Sequence, residues 1–187
     1  MGALIAVMGG VAAVVAVAVV LVFVVGVFRG SSRPRVTDDI QELVLGKSQI
    51  PSGLELDRGE CPGPPDTRGL KDCYAAFYRD KGGEPRVFSA AFTFTDASSA
   101  GDFQHGFKDA FSNSAFCTDE NGKAGRMTVS DQPDPGLGDE SGALLVSCPD
   151  TNDGVLWAWR VDNVVQVVAA EDAVQVKDLA GKIEARK

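Results

Sequence analysis

A long uncharged run opens the chain. Residues 3–28 hold only small and apolar side chains, and as a helix they would span about 39 Å at 1.5 Å per residue. A bilayer core is about 30 Å thick, so the run predicts a transmembrane helix. It lacks the basic start and the good cleavage site of a secretory signal, which favours an uncleaved signal-anchor. We therefore divide the chain into a transmembrane anchor (1–28), a short linker (29–36) and one domain (37–187).

Alternating positions predict strands in the first half of this domain. The runs CYAAFYRD and RVFSAAFTFTD flank the turn signal KGGEP, an arrangement that predicts a β-hairpin. In the second run every other residue is apolar, as in a half-buried strand. Before the hairpin, TDDIQELVLG predicts a short helix that begins at a capping Thr37 and ends at Gly46.

Helical periodicity follows the predicted hairpin. In DASSAGDFQHGFKDAF, apolar side chains recur at every third or fourth residue, namely Ala100, Phe103, Phe107 and Phe111. This period predicts a helix. Its aromatic stripe is more typical of packing on a sheet than of a platform for a ligand.

The second half of the domain repeats the alternation. GRMTVSD and GALLVSC are strand candidates, and GVLWAWRVDNVVQVVAAE predicts two strands that reverse at Asp162 and Asn163. The end of the chain predicts a helix with Val174, Leu179 and Ile183 as its apolar stripe. Together these elements predict an α+β fold, in which an antiparallel sheet carries its helices on one face.

The charge of the domain excludes one class of partner. Residues 36–187 carry 15 basic and 26 acidic side chains, a net charge of −11. A nucleic-acid-binding protein needs a basic footprint, and no segment here provides one. The same acidity would repel an anionic bilayer surface, so contact with the membrane is expected only through residues 3–28.

The four cysteines indicate an oxidising compartment. Cys61, Cys73, Cys117 and Cys148 have spacings that match no zinc site, so disulfides are the leading interpretation. Three pairings are open. We favour Cys61 with Cys73, which would close a Pro- and Gly-rich loop, and Cys117 with Cys148. Four free thiols in a cytosolic domain are the alternative.

Two signals disagree about the side of the membrane. The arginines at positions 29, 33 and 35 follow the apolar run and favour a cytoplasmic domain. Long domains are translocated largely regardless of such charges, whereas disulfides persist only outside the cytosol. We therefore expect a single-pass protein of the cell membrane with an extracytoplasmic C-terminal domain.

No catalytic constellation is recognisable. His105 is the only histidine, and no nucleophile motif accompanies it. Four carboxylates lie in one loop, namely Asp131, Asp134, Asp139 and Glu140, and a pair of these could act as general acid and base. CPDTNDG begins like a calcium loop but lacks the later ligands. The sequence predicts no catalytic residue, no metal site and no cofactor.

Five residues are candidates for contact with a ligand or partner. Trp157, Trp159 and Arg160 lie in one predicted strand, and Asp139 and Glu140 lie in the acidic loop. Large aromatic side chains and arginine are common at recognition surfaces. The alternative for the two tryptophans is the core, since their spacing of two places both on the same face of a strand.

Three short motifs resemble a group of actinobacterial membrane-anchored proteins and lipoproteins, which includes extracellular sensor-type domains of some serine/threonine kinases. They are LVLGKSQIPSGL at 43–54, GLGDE at 136–140, and VDNVVQVV followed by a final LAGKIEAR helix. The resemblance implies an extracytoplasmic α+β domain with disulfides and a cleft proposed to bind a ligand. It implies no particular ligand and no catalytic residue.

These observations lead to one hypothesis and two alternatives. The hypothesis is a non-enzymatic, membrane-anchored extracytoplasmic domain that binds a cell-envelope ligand or protein partner. A hydrolase-like envelope enzyme with paired carboxylates is the first alternative. The second is a structural subunit of an envelope complex, assembled through small residues of the anchor such as Gly9, Gly10 and Ala13.

Overall fold

The computed structural model describes most of the predicted domain. The described residues are 38–59, 67–83, 85–114, 116–118, 124–126, 128–147 and 153–185. The predicted anchor and linker lie outside them. Within the described ranges, no helix is long and apolar enough to cross a membrane.

Three helices and nine strands make up this part of the chain. The helices are α1 (Asp38–Glu42), α2 (Ala97–Ser114) and α3 (Ala173–Glu184). The strands are β1 (Glu55–Gly59), β2 (Leu70–Arg79), β3 (Pro85–Phe94), β4 (Phe116–Thr118), β5 (Ala124–Arg126), β6 (Thr128–Gln132), β7 (Glu140–Ser147), β8 (Gly154–Val161) and β9 (Val164–Ala170).

Seven strands form one antiparallel sheet in the order β1-β2-β3-β9-β8-β7-β6, and β4 and β5 pair separately. Both predicted hairpins are present, β2 with β3 and β8 with β9. The β8–β9 turn has Asp162 at φ 53°, a left-handed conformation that aspartate tolerates better than most residues. The two halves of the sheet meet where β3 pairs with β9.

The sheet is covered on both faces, so the prediction of helices on one face is wrong. Helix α2 packs on one face, where Phe107 joins Phe92 and Phe94 in the core. On the other face, residues of α1 and α3 pack with Val87, Ala91 and Val168. The central strands β3 and β9 are apolar on both sides, and such strands are stable only when both faces are buried.

The end helices differ in detail from the predictions. Helix α1 spans only five residues, and the chain continues in turns to residue 50. Helix α3 begins after Asp172, whose carboxylate accepts a hydrogen bond from the Gln175 N–H at 2.8 Å. Of the predicted apolar stripe, Leu179 and Ile183 are buried, whereas Val174 is 80% exposed. Val176 and Ala180 complete the buried stripe.

Cys73 lies in β2 and is disulfide-bonded. It is buried in the core on the α2 face. The other three cysteine side chains lie outside the part of the chain that the structure describes. Their pairing therefore stays a prediction.

Candidate functional site

The ends of β7 and β8 bring together three of the five predicted contact residues. Glu140 lies directly opposite Arg160 in the strand register. The preceding Asp139 donates its N–H to the Arg160 carbonyl at 2.8 Å, and its carboxylate accepts the N–H of Asp162 at 2.7 Å. This arrangement depends on Gly138, which has φ +61° and lies against the Arg160 backbone.

Arg160 lies at the centre of this group. Its Nε is 3.5 Å from Glu140 Oε2 and its guanidinium is 3.5 Å from Asp139 Oδ2. It also donates to the Asp162 carbonyl at 3.0 Å. The side chain is 18% exposed, and at these distances the two ion pairs are weak. The Arg160 guanidinium thus binds the main chain of the β8–β9 turn, and the carboxylates of Asp139 and Glu140 lie beside its positive charge.

Helix α2 adds a fourth side chain, His105, which the sequence did not indicate as functional. Its Nε2 lies 2.5 Å from Glu140 Oε1, and the imidazole is 71% exposed. One residue earlier, Gln104 donates to the Ala158 carbonyl of β8 at 3.0 Å. No sequence motif links His105 to Glu140, because their contact depends on how α2 crosses the sheet.

We call His105, Asp139, Glu140 and Arg160 the charged corner. Its members come from α2, the β6–β7 connection, β7 and β8, and the sheet holds them on the α2 side. Carboxylate oxygens and the imidazole face solvent, so the corner presents hydrogen-bond acceptors around one partly covered cation.

The two tryptophans are not part of the charged corner. Both lie on the opposite face of β8, with α1 and α3. Trp159 is fully buried, and its Nε1 donates to Glu184 Oε1 at 2.7 Å. Trp157 is half-buried beside it. Trp159 is therefore a core residue rather than part of a recognition surface.

The acidic loop is organised as a turn. Asp134 accepts hydrogen bonds from the Ser141 hydroxyl and from the Gly136 N–H, and these bonds hold the pKa of its carboxyl below the ordinary 3.8. Asp96, before α2, has a lowered pKa because it accepts the Ser99 N–H and the Thr95 hydroxyl. A general acid requires the opposite shift.

In the described ranges, no three side chains of the His, Cys, Asp or Glu type come close enough to hold an ion. Asp150, the first aspartate of the calcium-like segment, lies outside those ranges.

Comparison with known proteins gives a likeness of fold. No family model matches the sequence, and no curated protein matches it. Among solved structures, the fold is similar to the extracellular domain of PknH from Mycobacterium tuberculosis, with a TM-score of 0.60 and 15% sequence identity. The match covers 83% of this chain and 98% of that one. At this identity the likeness concerns the fold alone, and it agrees with the α+β fold that the resemblance of the three sequence motifs implied.

Proposed function

We propose that this chain is a membrane-anchored, extracytoplasmic binding domain with a sensor-like role and no enzymatic activity. One observation carries the proposal. The fold is similar to nearly the whole of the extracellular domain of PknH, rather than to a fragment of that domain. The uncharged run at 3–28 and the disulfide at Cys73 support the same placement, since disulfides persist outside the cytosol.

The charged corner is the contact surface of this proposal. It is assembled from three elements, and it exposes Asp139 and His105 beside the partly covered Arg160. The acceptors at its surface suit a cell-envelope ligand or partner that offers hydrogen-bond donors or a positive charge. Trp157 and Trp159 are not included, because they lie on the opposite face.

The location is tested on intact cells. A membrane-impermeant protease should digest the domain from outside, and the released fragment should change mobility on reduction. Protection of the domain, together with four free thiols, would overturn the extracytoplasmic placement.

The contact surface is tested by photo-crosslinking in living cells. A photoreactive residue at position 105 should give a specific adduct, and Glu140→Gln or Arg160→Gln should reduce it. Position 178 is the matched control, since Asp178 is exposed on α3, on the other face of the sheet. Equal adducts at both positions, or none at 105, would exclude the corner as the contact surface.

The hydrolase-like alternative finds less support in the described carboxylates. The shifted ones, Asp96 and Asp134, have lowered pKa values and lie exposed in turns. The structural-subunit alternative is tested separately: enlarging Gly9, Gly10 and Ala13 would abolish an anchor-mediated complex and leave crosslinking at position 105 unchanged.

A further inference from the structure

Residues 43–50 cross the sheet on the side opposite the charged corner. We call this segment the strap. Its apolar side chains Val44, Leu45 and Ile50 are buried against the sheet and α3. The segment contains turns but no strand or helix. Its turns pair some main-chain groups locally, as in the bond from the Gln49 N–H to the Gly46 carbonyl, and the other buried groups need partners elsewhere.

Three buried polar side chains of the sheet bind that main chain. The Ser89 hydroxyl accepts the Leu45 N–H at 3.1 Å, and the Tyr78 hydroxyl donates to the Leu45 carbonyl. Gln166 donates to the Leu43 carbonyl at 3.0 Å. Ser89 and Gln166 are at most 2% exposed in otherwise apolar strands. Polar groups at such positions are costly unless paired, and these pair with backbone atoms of the strap.

The far end of the strap is fixed to α3. Gln49 donates to the Lys182 carbonyl at 3.0 Å, and Lys182 Nζ donates to the Gln49 carbonyl at 3.0 Å. The same Gln49 side chain accepts the Gly46 N–H at 2.8 Å. The strap is therefore held at one end by the sheet and at the other by the C-terminal helix.

Two features favour an attachment that can open. Directly after the strap, residues 51–53 are exposed, and Gly53 has φ +93° with no atom within 4 Å of its Cβ position. Within the described part of the chain, Gln166 Oε1 is buried without a hydrogen-bond partner. An unpaired buried acceptor lowers the stability of the closed arrangement.

We infer that the strap is a latch: it opens as one unit while the sheet stays folded, and opening uncovers the main-chain-binding side chains of Tyr78, Ser89 and Gln166. The strap lies near the start of the described domain. Only α1 precedes it among the described residues, and α1 contacts the same face of the sheet through Ile40. This inference does not depend on the ligand proposed for the charged corner.

Amide hydrogen exchange in the full-length chain, resolved by NMR, tests the latch. In the native protein the Leu45 and Gly46 amides should exchange through an opening that leaves the amides of β3 and β9 protected. Gln166→Leu keeps the size of the side chain but removes the donor to the Leu43 carbonyl. It should speed strap exchange at least about fivefold and leave β3 unchanged.

Two further variants keep the test decisive. Val168→Ala, on the same face of the same strand, should speed exchange in strap and sheet alike, because it weakens the core as a whole. Lys182→Met lies near the surface and removes the hydrogen bond to the Gln49 carbonyl together with an exposed ion pair to Asp178 within α3. It should speed exchange at Gly46 and at Leu45 together. If strap and sheet exchange in step in the native protein and in every variant, the strap is ordinary core and the inference fails.

Discussion

Gly136 and Gly138 lie two residues apart before β7, and both have a positive φ. An added Cβ meets no atom within 4 Å at Gly136, whereas at Gly138 it would collide with the Arg160 carbonyl oxygen and lie 3.1 Å from the carbonyl carbon. We expect Gly136→Ala to cost about 1–2 kcal/mol of stability for the left-handed backbone alone.

Gly138→Ala should cost about 1–3 kcal/mol more than Gly136→Ala, because the β8 backbone must also move. Urea unfolding of both variants measures the difference. Equal losses would show that the turn relaxes without disturbing Arg160.

The lowered pKa of Asp134 makes one contribution to stability depend on pH. Since its folded pKa lies below the unfolded value of 3.8, this contribution is present above about pH 4 and is lost as the pH falls through the folded pKa. Asp134→Asn should flatten the fall in the urea midpoint below pH 4. Asp153→Asn, at another exposed site, serves as the reference. If the urea midpoint falls equally with pH in the two variants below pH 4, the prediction is wrong.

At the scale of elements, one hydrogen bond fixes the end of α3 to the sheet. Trp159→Phe keeps an aromatic ring in the core but removes the donor to Glu184, so we expect a loss of about 1–3 kcal/mol. Trp157→Phe, at the half-buried neighbour on the same face, should cost less. Thermal unfolding of both variants measures the two losses of stability. A larger loss for Trp157→Phe would contradict the importance of the bond from Trp159 to Glu184.

Local patterns predicted the hairpins and α2 because turns and helical periods are set by nearby residues. The turn at Asp162 and the stripe of Ala100 and Phe107 illustrate this. In α3 the prediction was right for Leu179 and Ile183 and wrong for Val174, because Val176 and Ala180 fit the helical period of the buried stripe better. Ser89 and Gln166, polar residues within apolar strands, were a visible but unused signal of the strap.

At the scale of the whole molecule, the pairing of β3 with β9 could not be predicted from local pattern. Phe92 and Val165 are neighbours in the sheet although about half of the domain separates them along the chain. The burial of both sheet faces could have been predicted in part. VVQVVAA is a nearly continuous apolar run, which is typical of strands that are buried on both faces. Asp139, Glu140 and Arg160 of the charged corner were candidates from the sequence, and their contact with a ligand stays a prediction. His105 joins them only through the crossing of α2 over the sheet.

A disulfide at Cys73 should make the stability of the whole domain depend on redox conditions. Reduction should lower the free energy of unfolding by about 2–4 kcal/mol, since it frees the unfolded chain from a closed loop. Peptide mapping without reductant should show Cys73 joined to Cys61 and Cys117 joined to Cys148. Unfolding that is insensitive to reductant, or a different map, would contradict this prediction.

The strap and α3 have a consequence for engineering. Both lie on one face of the sheet, and Gln49 meets Lys182 there, so a segment near the start of the described domain lies beside its last helix. Domains with neighbouring ends tolerate insertion into a loop of another protein. Placed between the halves of a split fluorescent reporter, this domain would convert movement of its own N-terminal segment into an optical signal.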